Sequence, residues 1–154
     1  MDNKKVIVRE TPKHGKGIFA IKKIKKDEII AEFDGAIYDR DNTNWDDDSI
    51  YNYVIQFEKW RWKGSKGIAK LSNHSCDPNC GIKDLFKIVA MRDIVPGEEI
   101  TWDYEMTENH TWSMKCSCGS PLCRKKINAY KNMPLATRKK YQGYISEWLT
   151  KSAK

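Results

Sequence analysis

Leu71-Ser72-Asn73-His74-Ser75-Cys76-Asp77-Pro78-Asn79-Cys80 places one histidine, two cysteines and two asparagines within ten residues. His74 and Cys76 are two apart, so on an extended strand they share a face. That spacing suggests a nucleophile and its base, but nothing nearby marks a third, orienting group. A buried structural histidine fits the residues equally well. The chain contains no P-loop and no dinucleotide-binding glycine fingerprint.

Forty residues downstream lies Cys116-Ser117-Cys118-Gly119-Ser120-Pro121-Leu122-Cys123, a C-x-C-x4-C cluster. Three thiolates so close together suit zinc, which takes four ligands in tetrahedral geometry. Gly119 and Pro121 supply the tight turns. The cluster is one ligand short, and Cys76, Cys80 or a histidine is the candidate for the fourth. Five cysteines are an odd number, and clustered thiols in an intracellular protein point to metal before disulfide.

Around these two segments the signals are mostly β. Val6-Ile7-Val8, Gly17 to Ile21, Glu28 to Phe33, Ile50 to Phe57, Leu85 to Met91 and Glu99 to Tyr104 are rich in branched and aromatic residues. Val95-Pro96-Gly97-Glu98 is a strong turn signal. Residues 36 to 49 read as an exposed acidic loop containing Asp39, Asp41, Asp46, Asp47 and Asp48. A C-terminal amphipathic helix is expected over 134–150. Pro134 starts it, and Tyr141, Tyr144, Ile145, Trp148 and Leu149 repeat at helical spacing.

The 154 residues suit one domain. No apolar run could span a bilayer, and Met1-Asp2-Asn3-Lys4-Lys5 has no signal-peptide core behind it. The expectation is an intracellular protein, cytoplasmic or nuclear, with no membrane association, as a monomer or weak dimer. The net charge of +7 is concentrated at the end: residues 115 to 154 hold 10 basic and 1 acidic side chains. This is either a solvated basic face or a surface attracting nucleic acid or an acidic partner. No nucleic-acid recognition motif accompanies it.

Four segments, in order, resemble the SET-domain family of protein lysine methyltransferases. His14-Gly15-Lys16-Gly17-Ile18-Phe19-Ala20 is similar to the family's G-x-G motif, and Asn73 to Asn79 to its N-H-S-C-x-P-N signature. Glu98 to Tyr104 resembles its G-E-E-[LI]-T-x-D-Y segment, and Cys116 to Cys123 its post-SET cysteines. Phe33-Asp34-Gly35 resembles a further Y-x-G motif with Phe for Tyr.

The resemblance implies a SET β-fold of small curled sheets with a pseudoknot over residues 4–106, a post-SET zinc-binding segment over 112–128, and methyl transfer from S-adenosylmethionine to a protein lysine. It assigns Lys16, Gly17, Tyr53, Asn73 and His74 to the cofactor. It makes Tyr104, with Tyr53 beside it, catalytic. It makes Cys76 the fourth ligand of one structural zinc ion, joining Cys116, Cys118 and Cys123, and leaves Cys80 as a buried small apolar residue. The expected substrate is a basic, histone-like protein or peptide, with the acidic loop near its groove. Trp102 stands where the family usually has Phe or Tyr, a position that influences the number of methyl groups added. Ser72 stands where an apolar residue is common, and Lys70 where arginine is usual. Two other classes compete with an enzyme: a catalytically dead SET-like binding module, and a zinc protein that binds nucleic acid through its basic end.

Overall fold

The computed structural model describes residues 3–151; Met1 and Asp2 of the N-terminal stretch lie outside it. In chain order the elements are β1 (Val6–Glu10), β2 (Lys16–Ala20), β3 (Ile29–Glu32), β4 (Ile37–Asp39), α1 (Asp48–Tyr51), β5 (Ile55–Glu58), β6 (Arg61–Lys63), β7 (Asn73–His74), β8 (Cys80–Lys83), β9 (Lys87–Ala90), β10 (Thr101–Trp102), β11 (Met114–Lys115), β12 (Lys126–Ile127), α2 (Leu135–Lys140) and α3 (Glu147–Lys151). Short 3₁₀ turns occupy Ala69–Leu71, Tyr104–Met106 and Tyr130–Asn132.

The strands form small separate sheets: β1-β2, β3-β9-β8, β4-β6-β5, β7-β10 and β11-β12. The β1-β2 hairpin turns at Gly15, whose φ of 66° is the left-handed region glycine enters freely. Ile18, Ile24, Ile30, Ile82, Ile88 and Ile100 are fully buried and fuse the sheets into one core. Each such side chain contributes roughly 1.5–3 kcal/mol.

The β7-β10 pair is parallel, with Asn73 opposite Thr101 and His74 opposite Trp102. Two residues of parallel ladder are weak by themselves. Asn79 reinforces them: its amide donates to the Glu99 carbonyl (2.8 Å) and accepts from the Thr101 N–H (3.0 Å). The two signature segments are thereby tied side by side.

Three local expectations need correction. Over Ile50 to Phe57 only the end is strand, because Asp47 caps a helical turn by accepting from the Ser49 N–H (2.9 Å). Glu99 to Tyr104 keeps just two strand residues, since Asp103 accepts from the Glu105 N–H and starts the 3₁₀ turn holding Tyr104. The helix expected over 134–150 is two short helices, α2 and α3. The first ends at its Tyr141 cap, and Gly143, at φ 86°, turns the chain two residues later. The next backbone groups bond outside the helix: the Tyr144 carbonyl accepts from Ile82 N–H, and the Ser146 N–H donates to the Met106 carbonyl. Tyr141, Ile145 and Leu149 are nonetheless buried in the core of this chain.

The acidic loop is pinned rather than free. The Trp45 ring lies 4.9 Å from Trp62, edge to face, and its indole N–H donates to the Arg40 carbonyl. Among the described residues no helix is long and apolar enough to cross a membrane.

Candidate active site and metal centre

A cleft of about 1240 Å³ runs between the β1-β2 turn, the loop after α1, β7-β10 and residues 110–118. Lys16, Tyr53, Asn73, His74 and Tyr104 all line it. Gly17 lies just behind, buried. A Cβ there would sit 2.5 Å from Glu99 Oε1 and 2.8 Å from Thr11 Cγ2, so a larger residue would displace these side chains. Asn73 fixes this corner, its side-chain amide donating to the Lys16 carbonyl (3.1 Å) and to Glu99 (2.8 Å). Tyr53 is 40% exposed and sits on the loop after α1, not on a strand.

Tyr104 packs between His74 and Trp102, ring centroids 5.2 and 4.9 Å away. Its hydroxyl donates to the Ser72 carbonyl (3.1 Å). Burial, and next the negative charge of Glu99, push its phenol well above the ordinary tyrosine range, so it is a neutral donor. Trp102 is buried and packed into the core at the wall of the cleft. Its indole N–H donates to Ser72 Oγ (2.9 Å), which donates onward to the Ala69 carbonyl (2.6 Å). The two departures at positions 72 and 102 are therefore one feature: the small hydroxyl satisfies the buried indole.

His74 plays the structural part. Its Nδ1 accepts from the Tyr104 backbone N–H (3.2 Å), so a neutral ring carries its proton on Nε2, 3.3 Å from Cys76 Sγ. Burial pushes its pKa down to about 4, keeping the ring neutral. Both ring nitrogens are thus committed: the imidazole touches Cys76, but that sulfur belongs to the thiol cluster.

The sulfurs of Cys76, Cys116, Cys118 and Cys123 lie within 4.8 Å of one another. Cys116 is 3.7 Å from both Cys76 and Cys123. Tetrahedral zinc with bonds of about 2.3 Å holds its thiolates about 3.8 Å apart, so the four are close enough together to hold that ion. Backbone N–H groups of Arg124 and Lys125 point at Cys76 and Cys123 sulfur (both 3.4 Å), an arrangement that favours thiolate. Cys80 is fully buried, away from the cluster, and burial pushes its thiol far up.

Sequence reasoning missed the charges beneath the tyrosine. Arg124 donates to both oxygens of Asp103 (2.9 and 3.0 Å), and Glu105 lies 3.3 Å from it. Asp103 is fully buried and Glu105 nearly so. The only signal was adjacency, Arg124 following Cys123 and the two acids flanking Tyr104. Elsewhere, part of the C-terminal basic charge is used within the chain: Arg138 donates to the Met133 and Tyr130 carbonyls, Lys140 pairs with Asp77 and Lys151 with Glu147.

Comparison with known proteins agrees with this arrangement. The family model for the SET domain matches residues 15–105, more than half of the chain. Among curated relatives, the histone-lysine N-methyltransferase, H3 lysine-4 specific, of Schizosaccharomyces pombe is 35% identical over 131 residues, 75% of this chain and 14% of that protein. Histone-lysine N-methyltransferase trithorax of Drosophila virilis is 32% identical over 133 residues, 75% of this chain and 3% of that protein. The chain spans only a small fraction of the length of these relatives. Among solved structures, KRYPTONITE in complex with mCHG DNA and SAH superposes with a TM-score of 0.63 at 21% identity, covering 79% of this chain and 28% of that one. The same fold was solved with an H3(1-15) peptide at a TM-score of 0.62 and 20% identity, over 79% of this chain and 29% of that one. With its motifs in family order on a fold of small sheets, this chain belongs to the SET-domain family.

Proposed function

We propose that the protein transfers a methyl group from S-adenosylmethionine to the side-chain amine of a lysine in a basic, histone-like protein. The observation that carries this reading is one cleft uniting Lys16, Asn73 and His74 with the Tyr104 hydroxyl, walled by the cysteine segment. The relatives' names, histone-lysine N-methyltransferases, support the reaction class. The donor supplies a methyl group on a positive sulfonium. The backbone of Lys16 and Gly17, Asn73 and the backbone of His74 are the groups that would hold it, with Tyr53 lining the same cleft.

The acceptor amine must be neutral to offer its lone pair, although free lysine titrates at about 10.4. An apolar channel lowers that value by disfavouring the ammonium. The cleft supplies such walls in Phe33, Trp102 and Trp112. The Tyr104 hydroxyl and the Ser72 carbonyl beside it are the polar groups that would orient the amine. Alignment of two bound reactants contributes at most about 7–11 kcal/mol. Exposed Asp46 and Asp48, without an ion pair among the described residues, support attraction of a basic peptide. Histone substrates imply an intracellular, nuclear setting. Burial of Tyr141, Ile145 and Leu149 within the chain supports a monomer.

The test is incubation with methyl-labelled donor and mixed basic proteins. Label is expected on lysine, and Tyr104→Phe is expected to lose roughly 100-fold in rate, the effect of one oriented hydroxyl. Donor binding with no transfer would establish a binding module instead.

A further inference from the structure

Tyr104 is held from below by residues on both sides of it. Asp103 and Glu105, one residue before and one after, are buried at 0% and 2% exposure. Two adjacent buried carboxylates repel each other and are costly unless a cation lies between them. Burial holds the Glu105 carboxyl above its ordinary range. Among the described residues, the one arginine or lysine within ion-pair distance of either is Arg124.

The position of Arg124 is set by the cysteine cluster. It follows Cys123 directly, and its backbone N–H points at Cys76 sulfur (3.4 Å). Its side chain forms a two-pronged contact with Asp103 and a third contact with Glu105. Asp103 in turn caps the 3₁₀ turn through the Glu105 N–H, and Glu105 accepts from the Asn128 N–H (2.7 Å), back on the cysteine segment. One residue therefore has its backbone on the metal centre and its guanidinium under the tyrosine.

We infer that Arg124 is a positioning residue, a latch that makes the placement of the Tyr104 turn depend on closure of the cysteine segment. The consequence for catalysis rests on the methyltransferase reading; the mechanical link does not. Arginine is needed because its planar fork spans both carboxylate oxygens, whereas a lysine ammonium is a single point of charge.

The test uses Arg124→Lys, which keeps the charge and loses the fork, with Arg124→Gln as the harsher variant. Bound zinc is measured alongside amide hydrogen exchange over residues 103–106. In Arg124→Lys, exchange is expected to speed up about 10-fold with zinc content unchanged. The methyl-transfer kcat is expected to fall about 10-fold with little change in the donor KM. In a Tyr104→Phe background the same substitution is expected to change the residual rate less than about 2-fold, since it acts through the tyrosine. Unchanged exchange, zinc loss accompanying the faster exchange, or an equal rate loss in both backgrounds would each overturn the latch. If the unaltered protein transfers no methyl group, the functional reading fails, and exchange at constant zinc alone decides whether the link exists.

Discussion

Residues 16–102 and residues 112–128 border the same cleft, yet they bury different things. The first region holds a contiguous core of isoleucines with almost no exposure. The second buries Cys116 and Ile127 against Cys76, with Trp112, Cys118 and Cys123 partly covered. One isoleucine is worth about 1.5–3 kcal/mol, while ordering each residue costs about 1–2 kcal/mol. Apolar burial therefore favours the framework far more than the cysteine segment. A structural zinc site contributes about 10–16 kcal/mol, enough to change that balance. With zinc held by these thiolates, the wall of the cleft would be a metal-dependent addition to the framework.

The largest expected effect separates the two regions directly. Removing zinc with a chelator, or replacing Cys116 with serine, is expected to lower methyl transfer on the order of 100-fold, about 2.7 kcal/mol. Hydrogen exchange should become fast over 110–127 while Ile18, Ile82 and Ile88 stay protected. Loss of protection in both regions together would break the distinction.

The framework was the more legible half. The strand signals at Val6, Gly17, Glu28 and Leu85 and the turn at Gly97 follow from residue type, while the burial of Cys80 followed from the resemblance alone. The resemblance supplied Cys76 as the partner of the three downstream thiols, and the four sulfurs lie within 4.8 Å of one another. The terminal helix was misread because buried residues at helical spacing also occur when a chain breaks at Gly143 and gives its carbonyl at Tyr144 to a strand edge. The Arg124 cluster was invisible because charge contacts between residues 103 and 124 carry no periodicity. His74 shows a third limit: its type suggests catalysis, but its ring is spent between a backbone N–H and a sulfur.

A smaller effect sharpens how the framework handles its polar atoms. Ser72→Ala leaves the buried Trp102 indole N–H without its partner. Thermal or denaturant unfolding is expected to show a loss of about 1–3 kcal/mol. A neutral substitution would mean that the Ser72 hydroxyl is not what satisfies the indole.

Smaller still is the effect at the acidic loop. Replacing Asp46 and Asp48 with Asn is expected to raise the KM for a basic peptide a few-fold in low salt, with the difference fading as salt screens it. An unchanged KM would make the loop a solvated face only.

The smallest effect lies on the framework's edge. Glu28 is held down to about 2 by the hydrogen bond from Lys5 and then that from Asn3. A carboxylate with a depressed native pKa stabilises the fold above its ordinary value of 4.5, and that contribution is lost as pH falls through about 2. Glu28→Gln is therefore expected to lower Tm at pH 6 and to match the unaltered protein near pH 2. A Tm difference independent of pH would assign the effect to packing.

Calorimetric titration of S-adenosylmethionine into zinc-loaded protein and into Cys116→Ser asks most directly whether the four thiolates build the pocket. The expected result is saturable binding to the loaded protein and at least about 10-fold weaker binding to the variant. Equal affinity in both, or one bound zinc with no heat from the donor in either, would contradict a metal-built wall over a donor site.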